Sequence, residues 1–387
     1  MLTVTDSPVS MRALLAGARR KEPALIHLIR KLVQAESPSD DKAAVDVCVA
    51  LVAEQAKALG GRVKLHKQRG YGDVLEARFG PKSKTGAAGR TLLLGHLDTV
   101  WPVGTLKTMP CKLSEGRLGG PGTLDMKAGV AMALTAIEML AETGLLEREI
   151  VLLLNSEEEV GSPVSRPLTE RLAAECAQVY VMEPAQGLAY KIARKGTGSW
   201  RIGIEGVAAH AGVDFEKGAS AIRELARVVE TVSGWTDLKR GLTVNVGVVG
   251  GGSKTNVVAA EAWAEVDVRI ARKADGARME RKFARLKAAD KRCTLSVTGG
   301  INRPPLERKR GGVKLYKQAR ELAAELGFVL EEAATGGASD GNFTAALGIA
   351  TLDGMGAVGE GAHARHESIV VEHLAPRTAL LAGLLAG

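Results

Sequence analysis

Residues 155–162 read NSEEEVGS, so the apolar run 150–154 leads straight into Glu157, Glu158 and Glu159. Adjacent carboxylates repel, and they are costly to bury without a partner. An interior strand that ends in three acids therefore needs a neutralising cation or an exit to solvent. A second apolar run closes on LLLGHLDTV (92–100), with His96 and Asp98 two residues apart. Residues at that spacing share one face of a strand. The carboxylate can then hold one imidazole nitrogen and leave the other for a metal; an ordinary polar strand end reads the same way. In PGTLDMKAGVAM (121–132), Asp125 precedes a helical pattern, as a helix N-cap or as a ligand. VMEPA (181–185) ends an apolar stretch at Glu183, a solvated loop acid or a ligand. GAHARHES (361–368) carries His363 and His366, two of seven histidines in the chain.

Taken together, these groups point one way. His96, Asp125, Glu159, Glu183 and His363 all fall at the ends of strand-like runs or in adjoining loops. In open parallel sheets, ligands collect beyond the carboxyl ends of the strands. Two imidazoles and three carboxylates suit a pair of zinc ions with one carboxylate shared. Glu159 then binds metal, and Glu158 is left as a general base.

The elements that must position these groups are legible as periodicity. Residues 22–34 and 41–59 carry apolar positions at helical spacing, separated by ESPSDD (36–41), which offers turn and cap chemistry. The runs 74–79, 91–94 and 150–154 read as buried strands, with a helix over 127–143 between the last two. That order predicts a helix-flanked, largely parallel sheet. From about residue 196 the pattern becomes strand 199–207, helix 218–233, strands 242–249 and 261–270, helix 273–288 and strand 293–298. This β-α-β-β-α-β order is a split βαβ sandwich, long enough to be a separate small domain. A helix at 311–326 resumes the first style, so the small domain is expected as an insertion. The expected boundaries are 1–194 with 303–387 for the larger domain and 195–302 for the smaller.

The chain's 387 residues, 45% of them hydrophobic, are enough for two cores. Its net charge of +8 is scattered and only 3% of residues are aromatic, which argues against nucleic-acid binding and suits a small anionic substrate. The four cysteines, Cys48, Cys111, Cys176 and Cys293, lie far apart, as expected for reduced thiols of a cytoplasmic protein. The stretch MLTVTDSPVSMRALL lacks the layout of a secretory signal, and no window approaches a membrane span.

The motifs ESPSDD, GHLDTVWPVGT, GPGTLDMKAG, NSEEEVGS, MEPA, GVAAHAG, GGASDGNF and GAHARHE occur in that order over nearly the whole chain. In this the sequence resembles the dinuclear zinc exopeptidases and deacylases, which include glutamate carboxypeptidase, acetylornithine deacetylase and succinyl-diaminopimelate desuccinylase. NSEEEVGS, ASDGNF and the TNVV…DVR segment bring it nearest the glutamate carboxypeptidase branch.

The resemblance implies a mixed sheet flanked by helices, with an inserted ferredoxin-like lid and dimerisation domain. It makes Asp125 the bridging ligand, with His96 and Glu183 completing one zinc site and Glu159 and His363 the other. The register favours His363 over His366. Glu158 becomes the base for a dizinc-activated water and Asp98 the residue that orients His96. Glu157 is left as a spectator near the surface, and the Asp125–Met126 peptide is expected to be cis. Manganese or cobalt fits the same donors. His210 in GVAAHAG, otherwise a turn histidine, becomes an oxyanion donor, in some relatives acting across a homodimer.

Substrate-side candidates are Asn256, Arg269 and Arg303, with Gly336 and Gly337. An arginine can grip a carboxylate bidentately, although Arg269 also sits two residues from Asp267 as in a structural ion pair. The two glycines read equally as a simple turn. With the resemblance, these features imply hydrolysis of an amide to release a C-terminal or N-acylated amino acid. Glutamate and aspartate are the candidates that the basic balance favours. The alternatives are small-acyl deacylation, dipeptide cleavage, or removal of an amine from an aromatic ring at the same site. A non-catalytic binding protein on the same scaffold is the alternative of another class.

Overall fold

The computed structural model describes residues 10–387. Residues 1–9, on which the expectation of no leader partly rests, lie outside them. The chain forms two compact units. The first comprises residues up to Ala193 with Arg308–Ala334 and Ser339–Gly387; the second comprises Arg194–Glu307 with Thr335–Ala338.

The first unit is built on a six-stranded sheet in the order Arg62–His66, Val74–Phe79, Glu149–Asn155, Arg90–His96, Gln178–Val181, Ala350–Leu352. The first two junctions are antiparallel and the remaining three parallel, so the sheet is mixed. Every residue of Glu149–Asn155 is buried, as a central strand covered on both faces requires. Helix Ala128–Glu142 packs close to the backbone. A side chain at Gly129 would collide with the carbonyl of Met182.

The first helix runs Met11–Gln34, well beyond the expected 22–34, and continues through Pro23. Its Ser10 side chain accepts the Ala13 N–H. Leu14, Ala18, Leu25 and Ile29 bury one stripe in the core, where the helix packs on Leu374–Ala386. Tertiary burial thus overrides the proline signal. The ESPSDD turn caps the second helix, Lys42–Ala58, through Asp41, which accepts the Ala44 N–H at 3.0 Å.

A small antiparallel sheet joins distant loops. Its order is Gly359–Glu360, Ser368–Val370, Arg117–Gly119, Leu113–Ser114, with Ser368 opposite Gly119. It sets the GAHARHES loop beside the loop that leads to Asp125.

The second unit is a four-stranded antiparallel sheet, ordered Thr243–Gly251, Glu261–Ile270, Gly196–Glu205, Thr294–Arg303. Helices Ala221–Ser233 and Lys273–Ala284 complete the ferredoxin-like arrangement. It has its own core, where Trp200 stacks on Phe283 at 4.3 Å. All four cysteines are free, and Cys48, Cys176 and Cys293 are buried. No helix among the described residues is long and apolar enough to cross a membrane.

Candidate metal centre

Three neighbouring strands of the first unit, Arg90–His96, Glu149–Asn155 and Gln178–Val181, run parallel and end at one edge. His96 closes the first, Glu158 and Glu159 come after the second, and Glu183 after the third. Asp125 precedes helix Ala128–Glu142, but neither it nor Met126 has helical backbone angles, and their peptide bond is cis. The Asp125 carboxylate faces two imidazoles and caps no helix. His363 adopts φ of 61°, in the left-handed region that histidine enters more readily than most residues.

One oxygen of Asp125 lies 3.2 Å from His96 Nε2 and the other 3.5 Å from His363 Nε2. His96 Nε2 is also 3.6 Å from Glu183, and His363 Nε2 is 3.1 Å from Glu159 Oε2. Asp125 therefore stands between two sets of donors. Glu159 Oε1 is buried and has no hydrogen-bond partner among the described residues, a costly position for a carboxylate oxygen unless a cation fills it. The donor atoms of His96, Asp125 and Glu159 lie within 4.8 Å of one another, as do those of His96, Glu158 and Glu183. Donors about 2 Å from a shared ion fit such spacings. By proximity alone Glu158 is also a possible ligand. It differs from Glu159 in facing the His96–Glu183 side.

Asp98 fastens this arrangement from behind. His96 Nδ1 donates to the Asp98 carbonyl at 3.0 Å, which leaves Nε2 toward Asp125. The Asp98 carboxylate accepts the backbone N–H of Glu158 and of Glu159, each at 3.1 Å, and the Ser39 hydroxyl at 2.6 Å. One buried acid so sets both the imidazole and the turn with the two glutamates.

Charge in the cluster follows from these contacts. Burial alone would lower the pKa of His96, but Asp125 and Asp98 outweigh it and hold the imidazolium well above its ordinary value. Asp125 and Glu159 raise His363 to about 10. Burial works against the Asp125 carboxylate, and the two imidazoles more than offset it, so its pKa lies far below the usual range.

Glu157 departs from expectation. It is fully buried rather than near the surface, and it accepts the N–H groups of Ser165 at 2.6 Å and Val164 at 3.2 Å. Burial raises its pKa. It ties the acidic turn to the next helix, and a run of three identical acids gave no sign of which one points inward. Asn155 and Ser162 likewise donate to the buried Asp340, at 2.6 and 2.5 Å.

The remaining candidates belong to the second unit. His210 is exposed, and its Nδ1 accepts the Gly212 N–H at 3.2 Å, which leaves the ring proton to Nε2. Asn256 is exposed, and its carbonyl accepts the Ala211 N–H beside His210. Arg269 Nε lies 2.9 Å from Asp267, the structural pairing. Arg303 is buried at the end of its strand. Gly336 and Gly337 lie in an exposed turn, where Arg194 donates to the Gly337 carbonyl.

Sequence reasoning missed Glu367. It is buried and accepts four N–H groups: Trp101 Nε1 and Gly122 N on one oxygen, Leu124 N and Asp125 N on the other. A lone acid in a polar loop reads as solvated. Its only signal was its place four residues after His363.

Residues 92–387 match the model of peptidase family M20/M25/M40. The chain is 29% identical to carboxypeptidase G2 of Pseudomonas sp. (strain RS-16), covering 96% of this chain and 91% of that one. Among solved structures it shares its fold with aminopeptidase PepT from Bacillus cereus, with a TM-score of 0.79 at 23% identity, covering 94% of this chain and 98% of that one. It also resembles a dinuclear metal binding peptidase of the M20 family from Bacillus subtilis, with a TM-score of 0.69 at 15% identity, covering 95% and 98%.

Proposed function

The chain belongs to peptidase family M20/M25/M40 and is a metal-dependent hydrolase, and from that premise we propose that it cleaves an amide bond to release a C-terminal or N-acylated amino acid, with two zinc ions per subunit. The observation that carries this reading is the Asp125 carboxylate, with one oxygen toward His96 and the other toward His363. His96, Asp125 and Glu183 would hold one ion, and His363, Asp125 and Glu159 the other. The orphaned Glu159 oxygen and the all-N/O donor set fit such ions. When bound, the ions supply Lewis-acid activation of a water and of the amide carbonyl.

The remaining work falls to side chains. Glu158 takes the proton of the attacking water on its carboxylate and returns it to the leaving amine nitrogen. Asp98 keeps His96 in the Nδ1–H tautomer. His210 donates from Nε2–H to the carbonyl oxygen as negative charge develops there. Asn256, Arg269, Arg303, Gly336 and Gly337 are proposed to receive the substrate's carboxylate and backbone. Similarity to carboxypeptidase G2 over nearly the full chain favours removal of a C-terminal residue. The excess of basic groups favours glutamate or aspartate there.

The first unit would form the catalytic domain and the second, Arg194–Glu307 with Thr335–Ala338 rather than the expected 195–302, the lid and dimerisation domain. The edge strand Thr243–Gly251 exposes Val248 and Val249, which suits pairing of two copies. Sedimentation of the purified protein tests that dimer. A panel of N-acyl-glutamates, acetyl-amino acids and dipeptides assayed with metal-loaded protein tests the activity. Absence of amide hydrolysis across the panel would favour a binding protein instead.

A further inference from the structure

The four N–H groups that converge on Glu367 come from two of the motifs that build the centre. Trp101 closes GHLDTVW, which supplies His96 and Asp98. Gly122, Leu124 and Asp125 form the loop that carries the shared carboxylate. Glu367 itself belongs to the loop that supplies His363. One side chain thus joins three separate segments.

The bond with most consequence runs from the Asp125 N–H to Glu367 Oε1 at 3.0 Å, with the Leu124 N–H on the same oxygen at 2.9 Å. Oε2 takes Trp101 Nε1 at 2.8 Å and the Gly122 N–H at 3.1 Å. Burial raises the Glu367 pKa, and these four donors oppose that effect. No regular element can satisfy the N–H groups of this loop, since Asp125 and Met126 lie outside helical geometry. Without the carboxylate, several buried donors lose their acceptor together.

We infer that Glu367 is a positioning residue for the metal centre, fixing the backbone of the Asp125 loop so that its carboxylate straddles His96 and His363. The inference rests on the proposed reading of that centre. Glu367 touches none of the proposed ions' ligand atoms. It acts through the main chain of Asp125 and through its own loop, four residues after His363.

The test uses ion-free full-length protein titrated with Co2+ and followed by calorimetry and visible absorption. Asp125→Ala and a thermal melt of each variant serve as controls. Glu367→Ala should weaken binding of at least one ion by roughly 10–100-fold, the usual effect of losing a supporting partner behind the ligands, and alter the Co2+ spectrum. In Glu367→Gln the amide oxygen can still accept from Leu124 and Asp125, but its NH2 then opposes the Trp101 and Gly122 donors. That variant should fall between the others, and adding Trp101→Phe should restore part of the loss by removing one opposed donor. The double variant keeps the question decidable if Glu367→Ala does not fold. Unchanged Co2+ affinity and spectrum in Glu367→Ala, or in Glu367→Gln where the alanine variant fails to fold, would overturn the inference. If Asp125→Ala itself retained both ions, the reading of the centre would fail first and this inference with it.

Discussion

At the centre, the contacts divide labour between two adjacent glutamates. Glu159 meets His363, while Glu158 faces His96 and Glu183 without a place in the shared-carboxylate arrangement. Glu158→Gln should therefore retain its metal and lose roughly 10²–10⁴-fold in kcat, the span of general acid–base catalysis. Elemental analysis beside a rate assay checks it, and loss of metal would mean that the two roles are exchanged. His210→Ala should leave metal content intact and lower kcat by roughly 10²–10³-fold. Protons compete with metal here. His363 carries a pKa of about 10 in the ion-free protein, above its ordinary 6.5, and metal needs the neutral imidazole. Apparent metal affinity should rise with pH between those values. A raised pKa also stabilises the ion-free fold fully below 6.5, and this is lost as pH climbs through 10. Urea midpoints of chelator-treated protein should accordingly fall over that window. The proposed ligands were legible in the sequence because each is an acid or histidine at the end of a strand-like run or in an adjoining loop. Glu157 and Glu367 were not, because their work is to accept N–H groups, nearly all from the backbone, which leaves no mark on residue type.

The strands and loops bring the ligands together by register. His96 is opposite Asn155 in a parallel pair, so the loops leaving the two strands emerge at the same edge. Helix Ala128–Glu142 must lie close to that edge, and Gly129 permits it where the Met182 carbonyl approaches. Gly129→Ala should cost about 1–3 kcal/mol, as overpacking in a tight core does, measured by urea denaturation. A neutral result would mean that the helix shifts freely. Apolar and alternating runs disclosed the strands well, and five of the seven expected fell within two residues of the limits found. The small sheet joining Arg117–Gly119 to Ser368–Val370 was invisible, since strands of three residues carry too little periodicity. The N-terminal half of the first helix was missed for a related reason. Proline at position 23 is a local signal to stop, and the burial that overrides it lies on the last helix.

Across the chain, the two units have separate apolar cores. Arg194 and Leu306 pair as an antiparallel bridge, so the chain leaves and re-enters the second unit at adjacent points. A shortened chain with residues 196–305 replaced by a brief glycine linker should still bind two ions but lose turnover, because His210, Asn256, Arg269 and Arg303 go with the deleted segment. Full activity would remove those residues from the reaction. The insertion was readable from the change of pattern near residue 196, whereas the return of residues 335–338 to the second unit was not, since four residues in a turn have no signature of their own. The expectations for metal binding and turnover depend on Asp125 being shared between two ions. Anomalous diffraction at the zinc edge from zinc-loaded crystals measures that directly. Two peaks should flank the Asp125 carboxylate, roughly 3.5–4 Å apart as in other two-metal sites, one beside His96 and Glu183 and one beside His363 and Glu159. A single peak, or two peaks that do not both contact Asp125, would contradict the account.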